Sequence, residues 1–358
     1  MSNSCKYLTL YNDLKEKIDT GIYQENDMLP SENELVKIYN VSRITVSKAL
    51  HMLVDEGYIT RKQGKGSFVS SKAGHKTHRE MHHPQKIGLL IPCISDIHAL
   101  TLSYAIGTEL AFPEYDLHII QTHNLEYEEY SIKKLRNEGY DGLIIFPIDN
   151  EIYSDTILAL QVDHFPYVLL DRRFQGIHSS YVISDNLYGG ALCVKHLIEL
   201  GHTKIAFCAK SDLSEQSTEN RYLGYMQELR RNQMEADENR VFFSLTDETI
   251  PGFLAKIKSG QITAAIAVNT YTAKYILQHC DRNGIRVPED LSLVCFDTPA
   301  MIDSKYSFLT YVDQDSFQMG VQAAQIIKKL IDNPRIAPIQ TILQPTLVAN
   351  RSTQQNQS

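Results

Sequence analysis

Two stretches near the start of this 358-residue sequence carry side chains suited to reading a polyanion. The first is Ser42-Arg43-Ile44-Thr45-Val46-Ser47-Lys48, where a guanidinium, a lysine and several hydroxyls share one short segment. An arginine at the head of a helix can give paired hydrogen bonds to a guanine edge, and hydroxyls reach bases or phosphates. The second is Gln63-Gly64-Lys65-Gly66, where glycine lets backbone approach a nucleic acid closely and Gln63 and Lys65 can enter or flank a minor groove. Upstream, Ser31 opens a segment whose free backbone N–H groups suit a phosphate.

Elements that could hold these groups are legible around them. A first helix is expected over about 9–19, with Leu10, Leu14, Lys17 and Ile18 on one side and Gly21 beyond its end. Ser31-Glu32-Asn33-Glu34 after Pro30 has the form of a capping box, so a second helix starts there and ends near Tyr39-Asn40. Ser42 caps a third helix whose apolar side is expected to be Ile44, Val46, Ala49, Leu50 and Leu53, closed by Gly57. Tyr58–Arg61 and Ser67–Ser70 alternate as short strands around the glycine-rich tip.

In order, Leu29-Pro30-Ser31-Glu32-Asn33-Glu34-Leu35, Val41-Ser42-Arg43 through Leu50, Leu53-Val54-Asp55-Glu56-Gly57-Tyr58-Ile59 and Gly64-Lys65-Gly66-Ser67-Phe68-Val69 resemble the winged helix of the GntR family over nearly all of residues 7–70. That resemblance implies DNA contacts at Asn33, Arg43, Thr45, Ser47 and Gly64, to which Ser31, Ser42, Lys48, Gln63 and Lys65 are added on chemical grounds. Asn33 and Ser47 stand where many members carry arginine, so the family's common half-site is not assumed.

From Lys86 onward, apolar runs at 87–91, 117–121, 142–146, 167–170, 205–209, 264–268 and 291–296 alternate with helical segments at 98–111, 126–138, 186–200, 216–233, 271–284 and 315–332. Runs apolar on both faces and separated by helices predict parallel strands buried between helical layers. Ligand binding then belongs at their carboxyl ends. Lys86-Ile87-Gly88-Leu89-Leu90-Ile91-Pro92, Asp141-Gly142-Leu143-Ile144-Ile145, Leu169-Leu170-Asp171-Arg172, Ser184-Asp185-Asn186, Arg221-Tyr222-Leu223-Gly224-Tyr225 and Val294-Cys295-Phe296-Asp297 resemble the effector domain of the LacI/GalR family, related to periplasmic sugar-binding proteins. The resemblance implies a pocket between two lobes with Asp171, Arg221, Asn269, Asp297 and Gln314 in it. The loop Ser95-Asp96-Ile97-His98 is expected to add contacts from the first lobe, through His98 above all. Asp171-Arg172 could instead be an ion pair near the hinge, Asp185 and Asn186 caps, and His196 and His202 structural.

The expected architecture is therefore α/β, an N-terminal winged helix-turn-helix followed by a two-lobed periplasmic-binding-protein-like domain with parallel sheets. Its parts are 1–72 for DNA binding, 73–85 as a linker, and 86–358 for effector binding and dimerisation. The formal charge of −8 opposes a chain that coats nucleic acid everywhere. Lys and Arg at 43, 48, 61, 62, 65 and 72 against Asp55 and Glu56 localise the contact. His75, His78, His82 and His83 lie in a polar tether without a cysteine or carboxylate frame, so no metal is expected. The six cysteines form no C-x-x-C pair and read as small hydrophobes in the reduced state. Phosphate-loop, zinc-protease and nucleophile-elbow patterns are absent, so neither an enzyme nor a cofactor is expected. No apolar run is long enough to span a bilayer, and Met1–Leu14 lacks the order of an export signal, which favours the cytoplasm.

The expectation is a homodimeric regulator that binds double-stranded operator DNA and answers to a monosaccharide. The pairing of a GntR-type winged helix with a LacI-type domain resembles the arrangement of arabinose repressors, which makes a pentose and repression the first expectations. The rivals are a sugar receptor without a DNA role, which would need export, and a winged helix fused to an enzyme, which would need a catalytic constellation.

Overall fold

Leu10, Leu14 and Ile18 recur at helical spacing and are all buried, and with Tyr11 they form one wall of a small core. In the computed structural model, which describes residues 3–62, 66–70, 84–94, 96–148, 155–210, 215–297 and 304–356, this helix α1 runs Asn3–Asp19, starting earlier than its apolar pattern implied. It belongs to the first of two units, Met1–His83 and Pro84–Ser358. Helix α2 (Glu32–Tyr39) carries the expected capping box: Ser31 accepts from the Glu34 backbone, and the Glu34 carboxylate accepts from the Ser31 backbone. Asn40 ends it in the left-handed conformation. Helix α3 (Arg43–Asp55) is capped by Ser42, and Val46, Ala49, Leu50 and Leu53 fill the core. Strands β1 (Ile59–Lys62) and β2 (Gly66–Val69) pair antiparallel as a wing. The wing tip, with Gln63, Gly64 and Lys65, lies outside the described residues, as does the linker with its four histidines.

The second unit begins with β3 (Gln85–Ile91), α4 (Ile97–Glu109), β4 (Tyr115–Gln121), α5 (Leu125–Asn137), β5 (Gly142–Ile145), α6 (Asp155–Val162), β6 (Tyr167–Leu170) and β7 (Ser180–Ser184). It continues with α7 (Asn186–Glu199), β8 (Ile205–Cys208), α8 (Gln216–Arg231), β9 (Val241–Phe242), α9 (Ile250–Lys258), β10 (Ala264–Ala267), α10 (Thr270–Arg282), β11 (Ser292–Phe296) and β12 (Thr310–Asp313). Helix α11 (Ser316–Asp332), β13 (Gln340–Leu343) and β14 (Thr346–Val348) close it. Two six-stranded sheets result, ordered β13-β7-β6-β5-β3-β4 and β14-β12-β11-β10-β8-β9. The orders correspond strand for strand, so the two lobes repeat one plan. All pairings are parallel except β12 with β14.

The chain passes between lobes after β7, after β12 and after β13. Helix α11 therefore returns to the first lobe, where Met319, Ala323, Ala324 and Ile327 join Ile87, Leu89 and Leu102 in one core. Two helix pairs pack unusually closely. A Cβ on Gly224 of α8 would stand 2.0 Å from the Leu187 carbonyl oxygen of α7, and one on Gly320 of α11 would stand 2.7 Å from the Leu102 carbonyl oxygen of α4. Only glycine permits such backbone contact. These two packings position the site, because α8 carries Arg221 and α4 carries His98.

Five strands, β7, β9, β12, β13 and β14, and two helices, α6 and α9, were not anticipated. They are short or polar on one face, and α9 carries Pro251 and Gly252 in its first turn, where they blur the helical pattern.

Candidate functional site

The carboxyl ends of corresponding strands bring the cleft residues together. Asp171 follows β6 and Asp297 follows β11, equivalent positions in the two lobes, and both have positive φ (62° and 69°). Each donates its backbone N–H to the neighbouring strand, Asp171 to the Val182 oxygen (2.9 Å) and Asp297 to the Val312 oxygen (3.0 Å). Aspartate is among the few residues that tolerate this left-handed turn, and it aims a carboxylate off the strand end.

In the first lobe, Asp171 is buried and its Oδ1 lies 2.9 Å from His98 Nε2. His98 Nδ1 lies 2.7 Å from Ser316 Oγ, at the start of α11, and its ring meets Phe146 edge-on. Burial disfavours charge on the imidazole, but the charge and hydrogen bond of Asp171, helped by Asp297 and Asp96, outweigh it and lift His98 to about 9. Burial alone would raise the Asp171 carboxyl, yet His98, Arg172 and Arg221 hold it below its ordinary value. At neutral pH the two form an ion pair with His98 donating. His98 itself sits in the first turn of α4, where the expected helix over 98–111 begins; Asp96 is the cap, accepting from the Ala99 N–H. Enclosure in the cleft and the facing charge of Asp297 push the Asp96 carboxyl up.

In the second lobe, Arg221 is buried under α7. Its Nε donates to Asn186 Oδ1 (2.7 Å), its Nη1 donates to the Val268 carbonyl (2.6 Å), and its guanidinium stacks 4.0 Å from the Phe296 ring centre. Gln314 Nε2 donates to Asp297 Oδ1 (2.5 Å), while Gln314 Oε1 is buried without a partner among the described residues. Asn269 is half-buried and spends its oxygen capping α10 through the Thr272 N–H, which leaves its amide nitrogen available to donate. Thr270 donates to the Phe296 carbonyl and so is structural.

The sequence missed two contributors, Asn186 and Ser316, and read a third, Arg172, only as an ion-pair partner of Asp171. Asn186 orients Arg221 instead of capping a helix, the cap being Asp185. Ser316 holds His98 from 218 residues away. Arg172 donates to the Pro147 and Ile148 carbonyls, lies over Phe146, and reaches Glu215 of the other lobe at 3.6 Å. Its Nε is buried without a partner among the described residues, 3.9 Å from Asp171 Oδ2. A buried donor without a hydrogen-bond partner is costly unless a ligand completes it. His196 and His202 are structural as expected: His202 bonds Thr263, Ser292 and the Gln354 carbonyl, and His196 bonds Thr353.

On the winged helix, Arg43 is 74% exposed in its side chain, and Asn33 and Ser31 are exposed. Ser47 is half-buried and Lys48 lies over the Tyr7 ring. Two expectations are corrected. Thr45 is only 8% exposed, its hydroxyl 2.8 Å from Ser42 Oγ, so it serves the cap and is not presented outward. Ile44, assigned to the core, is 82% exposed, because Val46 and Ala49 set the inward face of α3 and Ile44 falls outside it. Cys193, Cys208, Cys280 and Cys295 are buried, whereas Cys93 is exposed at the end of β3. Among the described residues, no group of three or more His, Cys, Asp or Glu side chains could hold a metal ion, and no helix is long and apolar enough to cross a membrane.

Comparison with known proteins agrees with both units. Residues 6–69 match the model of the gntR family of bacterial regulatory proteins, and 194–353 match a periplasmic binding protein-like domain. The arabinose metabolism transcriptional repressor of Halalkalibacterium halodurans is 28% identical over 99% of this chain and 98% of its own length. That of Geobacillus stearothermophilus is 28% identical over 98% of both. Among solved structures, a LacI family transcriptional regulator from Enterococcus faecium with bound ribose shares the fold, with a TM-score of 0.65 and 23% identity over 76% of this chain and all of that one. These relatives are regulators, not enzymes.

Proposed function

As a chain that joins a GntR-family DNA-binding domain to a LacI-like, periplasmic-binding-protein-like domain, the protein is, we propose, a sequence-specific transcriptional repressor of carbohydrate-utilisation genes that a small neutral sugar controls. The end-to-end similarity to arabinose metabolism repressors carries this reading and makes arabinose the leading effector. The chemistry of the cleft supports it. Arg221 gives hydrogen bonds to a carboxamide and a carbonyl, and Arg172 gives two to carbonyls, so neither guanidinium is wholly free to clamp a phosphate or carboxylate. What is left open is mixed: Asp297, the Asn269 amide, Gln314 Oε1 and Arg172 Nε. Hydroxyls both donate and accept, and such a set suits them.

The protein acts as a homodimer. Arg43, Ser47 and Asn33 meet the major groove of each half-site, with Ser31 and Lys48 on phosphates and the wing tip, Gln63 to Lys65, beside the minor groove. Sugar draws the two lobes together, and the closed form no longer matches the spacing of the half-sites. A thermal-shift screen of monosaccharides, paired with release of genomic DNA fragments selected by the protein, tests the reading. Arabinose is expected to raise the melting temperature and release the fragment. A chain that selects no fragment, or that no sugar stabilises or releases, refutes it.

A further inference from the structure

Glu32 is the one carboxylate among the described residues that reaches into the exposed basic side chains of the wing and α3. It occupies the first turn of α2, beside the capping serine. Its Oε2 lies 3.4 Å from Arg43 Nε at the head of α3, and its Oε1 lies 2.9 Å from Arg61 Nη2 on β1. One anion therefore holds two arginines from two other elements. The capping box does not need it, since Glu34 supplies the reciprocal bond.

We propose that Glu32 is a specificity-determining positioning residue for DNA recognition, a role that rests on the regulator reading above. Holding Arg43 by Nε fixes the plane of the guanidinium while both terminal nitrogens stay free. That is the geometry a bidentate bond to a guanine edge requires. Arg61, held by one terminal nitrogen, is kept from collapsing onto the nearest phosphate. A carboxylate on this face also repels the phosphate backbone of every sequence equally. It lowers indiscriminate binding more than specific binding, where the arginines offset it by reading bases. As an exposed ion pair it adds little to folding, so its effect belongs to DNA.

The test uses the full-length chain, with selection from a random duplex library and then titrations of the selected and a scrambled duplex at several salt concentrations. Glu32→Gln is expected to bind the scrambled duplex several-fold more tightly. The slope of log affinity against log salt should steepen by about 1 as a freed arginine takes a phosphate. The ratio of selected to scrambled affinity should fall about tenfold, the scale of one base-pair mismatch. In an Arg43→Ala background the same substitution should leave that ratio nearly unchanged, because the positioned group is gone. An unchanged slope and ratio in Glu32→Gln overturns the proposal, as does a lowered melting temperature with both duplexes weakened alike, which marks a merely structural residue. A wild-type chain that enriches no sequence overturns the regulator reading, and this one with it.

Discussion

Replacing His98 by Gln tests whether the first lobe is anchored by a buried charge pair. The gap between the imidazole's ordinary 6.5 and about 9 corresponds to roughly 3 kcal/mol favouring the protonated folded state. Because the folded value is the higher one, this stabilisation is complete below about pH 6 and drains away as pH rises toward the folded value. It should amount to about 3 kcal/mol at pH 5, between about 2 and 3 at pH 7, and under about 1 at pH 9. Urea unfolding of the wild type, with all other groups cancelled against the variant, should follow that curve. The introduced carboxamide would keep one hydrogen bond to Asp171 but supply no charge, leaving a buried carboxylate with Arg172 at 3.9 Å as its nearest cation. The variant should be about 2–3 kcal/mol less stable at pH 7, and the deficit should nearly vanish by about pH 9.5. A deficit that stays constant from about pH 6 to 9.5 would refute the charge pair and leave only lost packing.

Gly224→Ala should cost at least about 2 kcal/mol in urea unfolding, since its Cβ would lie 2.0 Å from a backbone oxygen and must part α7 from α8. Sugar binding should weaken with it, because Arg221 moves with α8. Glu215→Gln removes the ion pair that Arg172 makes across the cleft, so nitroxides on Cys93 and on an engineered Gln278→Cys, in a Cys5→Ser background, should report a broader distribution of interlobe distances without sugar. Ile44→Ala should leave the melting temperature unchanged, the side chain being 82% exposed, yet weaken operator binding several-fold if it meets thymine methyl groups, as a gel-shift titration would read.

How much of this was legible followed from how each element is buried. Strands such as β3 and β5, apolar on both faces because helices cover both, announce themselves as continuous runs. Strand β13, with alternate residues exposed at a sheet edge, and β9, two residues long, carry no such run. The winged helix was readable in detail because its signals are local: a capping box, a serine cap and a glycine tip within a few residues. Even there, Ile44 was misplaced, since a single turn of helix does not reveal which side faces inward. The cleft behaved the other way. Asp171 and Asp297 could be found from their places after strands. Ser316 and Asn186 could not, because their roles arise from packing of α11 on α4 and of α8 on α7 over distant stretches of chain.

The repeat between the lobes sharpens which aspartate reads the ligand. Asp171 and Asp297 are equivalent in topology and share the left-handed backbone, but their partners differ. Asp171 is buried against a protonated imidazole, so its charge is compensated within the protein. Asp297 is half-buried and bonded to a neutral amide, so its charge still seeks donors, and sugar hydroxyls supply them. Asp297→Asn should therefore lower sugar affinity by about tenfold to a hundredfold with little loss of stability, as expected for one charge-assisted hydrogen bond of about 1.5–3 kcal/mol. Asp171→Asn should show the reverse emphasis, a drop in urea stability with His98 left unpaired. Equal effects of the two substitutions on both readouts would mean that the asymmetry of partners carries no functional asymmetry.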